Sequence, residues 1–120
     1  MRNLSILIPT YNDICVSLVE DLHHQCVHTP QLDFEIIVAD DGSTNQSTIS
    51  ANQPINNISH CRYILRTQNV GRSAIRNFLA QSAQYDKLLF IDSHMSVIRE
   101  DFIAHYLQYA DTHPIVCGPK

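Results

Sequence analysis

The sequence predicts an α/β fold, a three-layer sandwich with helices on both faces of a mostly parallel sheet. Three observations predict it. Short apolar runs alternate with stretches of helical periodicity along the whole chain, and no segment repeats. The runs Phe34-Glu35-Ile36-Ile37-Val38-Ala39 and Leu88-Leu89-Phe90-Ile91 are almost unbroken, as strands buried on both faces require. Both stop abruptly at polar groups, Asp40-Asp41 in one and Asp92-Ser93-His94 in the other. In an open parallel sheet the ligand crevice lies beyond the carboxyl ends of the strands, so these groups stand where a ligand would sit.

The elements follow in order. Leu4-Ser5-Ile6-Leu7-Ile8 is a strand-type run stopped by Pro9, which has no N–H for a ladder. Thr10-Tyr11-Asn12-Asp13 is a turn with capping residues. Cys15, Val19, Leu22 and Cys26 then recur at helical spacing, with Leu18 beside them, and predict a helix running to about Val27. The second strand covers residues 34–39. Ser43 and Gln46 stand at capping-box spacing for a short helix after it. Residues 52–59 are polar and read as a loop before a third strand, Cys61-Arg62-Tyr63-Ile64-Leu65. Asn69-Val70-Gly71-Arg72 turns into a helix whose stripe is Ala74, Ile75, Phe78, Leu79 and Ala83. After residues 88–95, Arg99-Glu100-Asp101 opens a last helix with Phe102, Ile103, Tyr106, Leu107 and Ala110 on one side. Thr112-His113-Pro114 ends it, and Ile115-Val116-Cys117 reads as one more strand before Gly118.

At 120 residues the chain is expected to form a single domain, residues 1–120, that buries roughly two thirds of its unfolded surface. The formal net charge of -4, with no basic stripe, argues against nucleic acid as a partner. The first apolar run is too short for a signal-peptide core or a membrane span, so the expected location is cytoplasmic. Cys15, Cys26, Cys61 and Cys117 form no Cys-x-x-Cys pair and read as small buried hydrophobes. The histidines lack regular ligand spacing, and only His94 has a polar context at a strand end.

The corner after the first strand carries Pro9, Thr10 and Tyr11 instead of the glycines of a dinucleotide fingerprint, which suits a planar base near Tyr11. A turn and a helix cap account for Asp41 and Ser43. Asp40, the last strand residue, is left over and could accept a hydrogen bond from the ring N–H of uracil or thymine. Arg72 and Arg76 lie four apart near a helix start, where backbone N–H groups already favour an anion. Asp92 and His94, two apart on an extended segment, point the same way and together could hold a divalent cation.

Four stretches, Ser5-Ile6-Leu7-Ile8-Pro9-Thr10-Tyr11-Asn12, Glu35-Ile36-Ile37-Val38-Ala39-Asp40-Asp41-Gly42-Ser43-Thr44, Asn69-Val70-Gly71-Arg72-Ser73-Ala74-Ile75-Arg76-Asn77 and Phe90-Ile91-Asp92-Ser93-His94, resemble in order and spacing the nucleotide-sugar-binding half of the family 2 glycosyltransferases. The resemblance covers nearly the whole chain. It implies a Rossmann-like GT-A fold and a nucleotide-binding set of Pro9, Thr10, Tyr11, Asp40, Gly71, Arg72, Arg76 and Asp92. It also implies a metal, Mn2+ or Mg2+, on Asp92 and His94. His94 stands where the family has a second aspartate. The Asp-Ser-His triplet is similar to that of the polypeptide N-acetylgalactosaminyltransferases, and it predicts weaker metal binding below about pH 6 as His94 protonates. The activity implied is metal-assisted transfer of a sugar from a nucleotide diphosphate sugar, a UDP-sugar, to a saccharide or other hydroxyl acceptor, with inversion. The general base belongs to a later segment of the family's chains, so no catalytic base is expected here. The full-length enzyme is expected to be cytoplasmic or held at the inner membrane surface. The shortened domain leaves room for a homo-oligomer. A non-catalytic nucleotide-binding or interaction module is the alternative.

Overall fold

The computed structural model describes residues 2–93 and 101–112. Four strands, β1 (Arg2–Thr10), β2 (Leu32–Asp40), β3 (Cys61–Leu65) and β4 (Leu88–Phe90), form one sheet in the order β3-β2-β1-β4, and every pairing is parallel. Between them run α1 (Val16–Val27), α2 (Gln46–Asn52), a 3-10 turn (Gln53–Asn57) and α3 (Arg72–Ser82), and α4 (Phe102–Thr112) follows β4. The expected three-layer α/β sandwich is what forms.

The alternation of side chains along β1 and β2 builds the layers. Leu4, Ile6 and Ile8 with Phe34, Ile36 and Val38 pack under α1 and α4, meeting Leu18, Val19, Leu22, Ile103 and Leu107. Leu7, Ile37 and Ala39 face the other way and pack under α3 through Ile75 and Leu79. Each of these side chains that is fully buried contributes about 1.5–3 kcal/mol, and both faces of β1 and β2 are used. The continuous hydrophobicity of the strands is the direct cause of two helical layers instead of one.

Several boundaries differ from those the residue pattern predicts. β1 does not stop at Pro9 but continues to Thr10, in register with Asp40. Ser5 N donates to Lys87 O and Ile91 N donates to Leu7 O, so the odd-numbered peptide groups of β1 face β4. Pro9 therefore turns its missing donor to the side where β4 has already left the ladder, and its bond pattern with β2 is undisturbed. The helix after β2 is capped by Asn45, whose side chain accepts from Thr48 N, and not by Ser43. Residues 52–59 are no plain loop: Ile55 is fully buried in the 3-10 turn, and buried Asn52 accepts from Cys15 N and donates to Asp13 O. β4 is only three residues long. The expected strand Ile115-Val116-Cys117 lies outside the described residues.

Candidate functional site

Three loops leave the carboxyl edge of the sheet, and side chains bolt them together. Asn12, in the left-handed region at φ 55, accepts from Thr44 N at 2.9 Å and Asn45 N at 3.0 Å through Oδ1. Its own N–H donates to Ser43 Oγ at 2.7 Å. The loop after β1 is thereby fixed to the loop after β2. Asp41 makes the next link, its carboxylate accepting from Val70 N at 2.8 Å and Gly71 N at 3.0 Å. Gly42 allows this approach: at φ +77, a Cβ there would lie 2.7 Å from Asn69 N and from the Gln68 carbonyl carbon. Gly71, at φ 95 and ψ 165, occupies a region that only glycine enters without strain, and it starts α3.

Above these loops opens a cavity of about 690 Å3. Pro9, Thr10 and Tyr11 line one side, with Tyr11 45% exposed and so available to a flat ligand. Gly71, Arg72 and Arg76 from the start of α3 line another, and Asp92, just past β4, lines a third. Seven of the residues singled out in the sequence thus meet at one concavity. The wall also includes Asp13, Asp41, Asn69, Ser73 and Ser93, which the residue pattern does not single out. Asp13 accepts from Ser93 Oγ at 3.1 Å, tying the β1 loop to the end of β4. The Arg76 guanidinium lies over the Phe90 ring, 4.3 Å from its centroid. His94 lies outside the described residues.

Asp40 requires a correction. It is fully buried and does not line the cavity. Oδ1 accepts from Ser43 N at 2.8 Å and from Ser43 Oγ, and Oδ2 accepts from the Tyr63 hydroxyl at 2.5 Å. Asp40 continues the inward series Ile36, Val38 of β2, so its carboxylate turns under the loop and braces it. Its neighbour Asp41, for which the sequence requires nothing beyond a turn, is the one at the cavity wall. The only warning in the sequence is parity with Ile36 and Val38.

Two buried groups under the site, the Cys15 thiol and the Tyr63 phenol, are held in their neutral forms. Burial first, then the charges of Asp40 and Asp13, pushes the Cys15 thiol from 9.0 up to about 12, so it is an inert packing residue. Burial, the hydrogen bond to Asp40 and the Asp40 charge together raise the Tyr63 phenol, which stays a donor. Among the described residues, no three His, Cys, Asp or Glu side chains are grouped to hold a metal by themselves. The donor set fits a hard cation in another way. Asp92 is an exposed carboxylate at the rim, and Mg2+ and similar ions are usually held by one or two carboxylates together with a ligand's phosphate oxygens.

Fold and site define a class: an open α/β domain with a cavity at the carboxyl edge of a parallel sheet, between carboxylates and arginines. The chain belongs to glycosyl transferase family 2, whose family model matches residues 5–119. It is 34% identical over 110 residues to the poly(ribitol-phosphate) beta-glucosyltransferase of Bacillus spizizenii, covering 86% of this chain and 16% of that enzyme. Staphylococcus aureus TarS in complex with UDP-GlcNAc superposes with a TM-score of 0.72 at 26% identity, over 93% of this chain and 32% of that one. The mannosyltransferase PcManGT of Pyrobaculum calidifontis, solved with GDP-Man and Mn2+, shares the fold with a TM-score of 0.71 at 16% identity, over 89% and 32% of the two chains. The chain therefore spans a third or less of the length of these relatives.

Proposed function

We propose that the chain is the donor-binding part of a glycosyltransferase that moves a sugar from a UDP-sugar to a saccharide or other hydroxyl acceptor. The observation that carries this reading is the convergence of Tyr11, Asp41, Arg72, Arg76 and Asp92 on one cavity at the carboxyl edge of the sheet. Tyr11 and the Pro9-Thr10 corner take the face of the base. Asp41, fixed by two backbone N–H groups, offers its remaining lone pairs to a ring N–H. The start of α3 with Arg72 and Arg76 takes the diphosphate, where N–H groups, dipole and guanidinium charge all favour an anion. Asp92 and His94 would hold the Mn2+ or Mg2+. Such a cation supplies Lewis-acid stabilisation of the negative charge that collects on the departing diphosphate. The arginines counter that same charge, and their effect is largest where it develops. The proton of the acceptor hydroxyl goes to a group outside these 120 residues, and inversion at the anomeric carbon is the expected course. UDP-GlcNAc bound to the TarS relative supports the choice of uracil nucleotide.

Calorimetry with UDP, GDP and dTDP, each with and without Mn2+, tests the reading. UDP is expected to bind tightest and to gain affinity from Mn2+, and Asp92→Ala is expected to remove that gain while sparing metal-free binding. Equal binding of all three nucleotides, or an Asp92→Ala chain that responds to Mn2+ like the unsubstituted one, would overturn it.

A further inference from the structure

Arg72 and Arg76 both border the cavity, but they are held differently. Arg72 is the first residue of α3 and is exposed. Arg76, one turn on, is half-buried and its guanidinium lies over the Phe90 ring, with Cζ 4.3 Å from the ring centroid. Phe90 is the last residue of β4, itself packed against the Leu7, Ile37, Ile75 and Leu79 cluster, so its ring is a fixed platform. The residues that follow it, Ile91, Asp92 and Ser93, line the cavity. One strand end therefore carries both the aromatic platform and the Asp92 carboxylate.

A guanidinium over a ring is attracted to its negative face and loses rotamer freedom before any ligand arrives. The ring engages the guanidinium through its face and consumes none of its N–H donors, so the planar fork is still available for paired hydrogen bonds to phosphate oxygens. A mobile arginine would spend much of its interaction with a diphosphate on becoming ordered. We infer that Phe90 is a positioning residue: by stacking Arg76 it presets that guanidinium for the diphosphate of the donor, a role no carboxylate or backbone group of the site can take. The inference rests on the donor site proposed above and assigns to an apolar strand residue part of the selectivity for diphosphate over nucleoside.

The test compares UDP with uridine by calorimetry on the 120-residue chain carrying Phe90→Leu, Phe90→Tyr, Arg76→Lys or Arg76→Ala, and on the Phe90→Leu, Arg76→Ala double variant. Phe90→Leu keeps an apolar side chain but no ring, and it is expected to weaken UDP about fivefold while leaving uridine unchanged. Phe90→Tyr keeps the ring face and is expected to restore UDP binding. Arg76→Lys keeps the charge without the planar fork and is expected to resemble Phe90→Leu, which gives a readout even where Phe90→Leu does not fold. In the Arg76→Ala background the Phe90 substitution is expected to change nothing further. Equal losses for UDP and uridine, failure of Phe90→Tyr to restore binding, or a Phe90→Leu effect that persists without Arg76 would overturn the inference. UDP binding with Phe90→Leu and Arg76→Lys both unchanged refutes the inference alone, whereas no UDP binding by the unsubstituted chain refutes the donor site as well.

Discussion

Asp40 is an ionisable side chain with no exposure, and its worth lies in three donors aimed at two oxygens. Hydrogen bonds to a charged acceptor contribute about 1.5–3 kcal/mol each, and a donor left facing another donor costs its desolvation as well. Asp40→Asn turns an NH2 toward either Ser43 or Tyr63. It is expected to lower unfolding free energy by about 2–3 kcal/mol in a urea titration, with Tyr63→Phe in the same direction. The residue scale is also where reading from sequence is weakest. Pro9, Thr10, Tyr11, Arg72 and Asp92 reach the cavity as their strand-end and helix-start positions imply. Asp40 turns inward and Asp41 lines the cavity because the final β-strand residue obeys the alternation of Ile36 and Val38, whatever its polarity. Asp13 and Ser93, eighty residues apart in sequence, share a hydrogen bond that no local pattern announces.

At the scale of elements, the loops matter more than the helices they introduce. The Asp41-Gly42 turn is clamped to the Gln68, Asn69, Val70 and Gly71 backbone by two hydrogen bonds and by a contact too close for any side chain. Gly42→Ala must move backbone atoms, since no flexible side chain is there to yield. It is expected to cost about 1–3 kcal/mol and, by opening the cavity wall, to weaken UDP more than a surface substitution of equal stability cost does; thermal melts with and without UDP read both effects. The helices and strands were legible because their apolar periods, 3.6 in α1 and α3 and continuous in β2, come straight from the two-sided burial of the sheet. The cap of α2 and the 3-10 turn were not. Ser43 has the right spacing for a cap, yet it is recruited by Asp40 and Asn12, so a tertiary contact overrides a local preference.

For the whole molecule, buried acids set an alkaline limit. Cys15 and Cys26 are each about 1% exposed and are pushed by burial from 9.0 to about 12, and Tyr63 is raised as well. Groups raised in the folded state bind protons that the unfolded chain has released, so their stabilisation is complete below about pH 9 and drains away as pH climbs toward 12. Each thiol can remove up to about 1.4 kcal/mol per pH unit across that window. Melting temperature is therefore expected to fall steeply above pH 9, and Cys26→Ala is expected to flatten the fall while lowering the plateau. The class of fold was legible from strand-helix alternation, but the strand order was not, because nothing local says that β1 lies between β2 and β4. That order has a consequence for synthesis on the ribosome. β1 finds its β2 neighbour about thirty residues later but must wait about eighty for Leu88, Leu89 and Phe90. Until Phe90 has been made, one bare flank of the nascent sheet remains open to pairing with other chains. Closure of that flank, and with it arrival of Phe90 and Asp92 beside α3, is the last event that completes the described pocket.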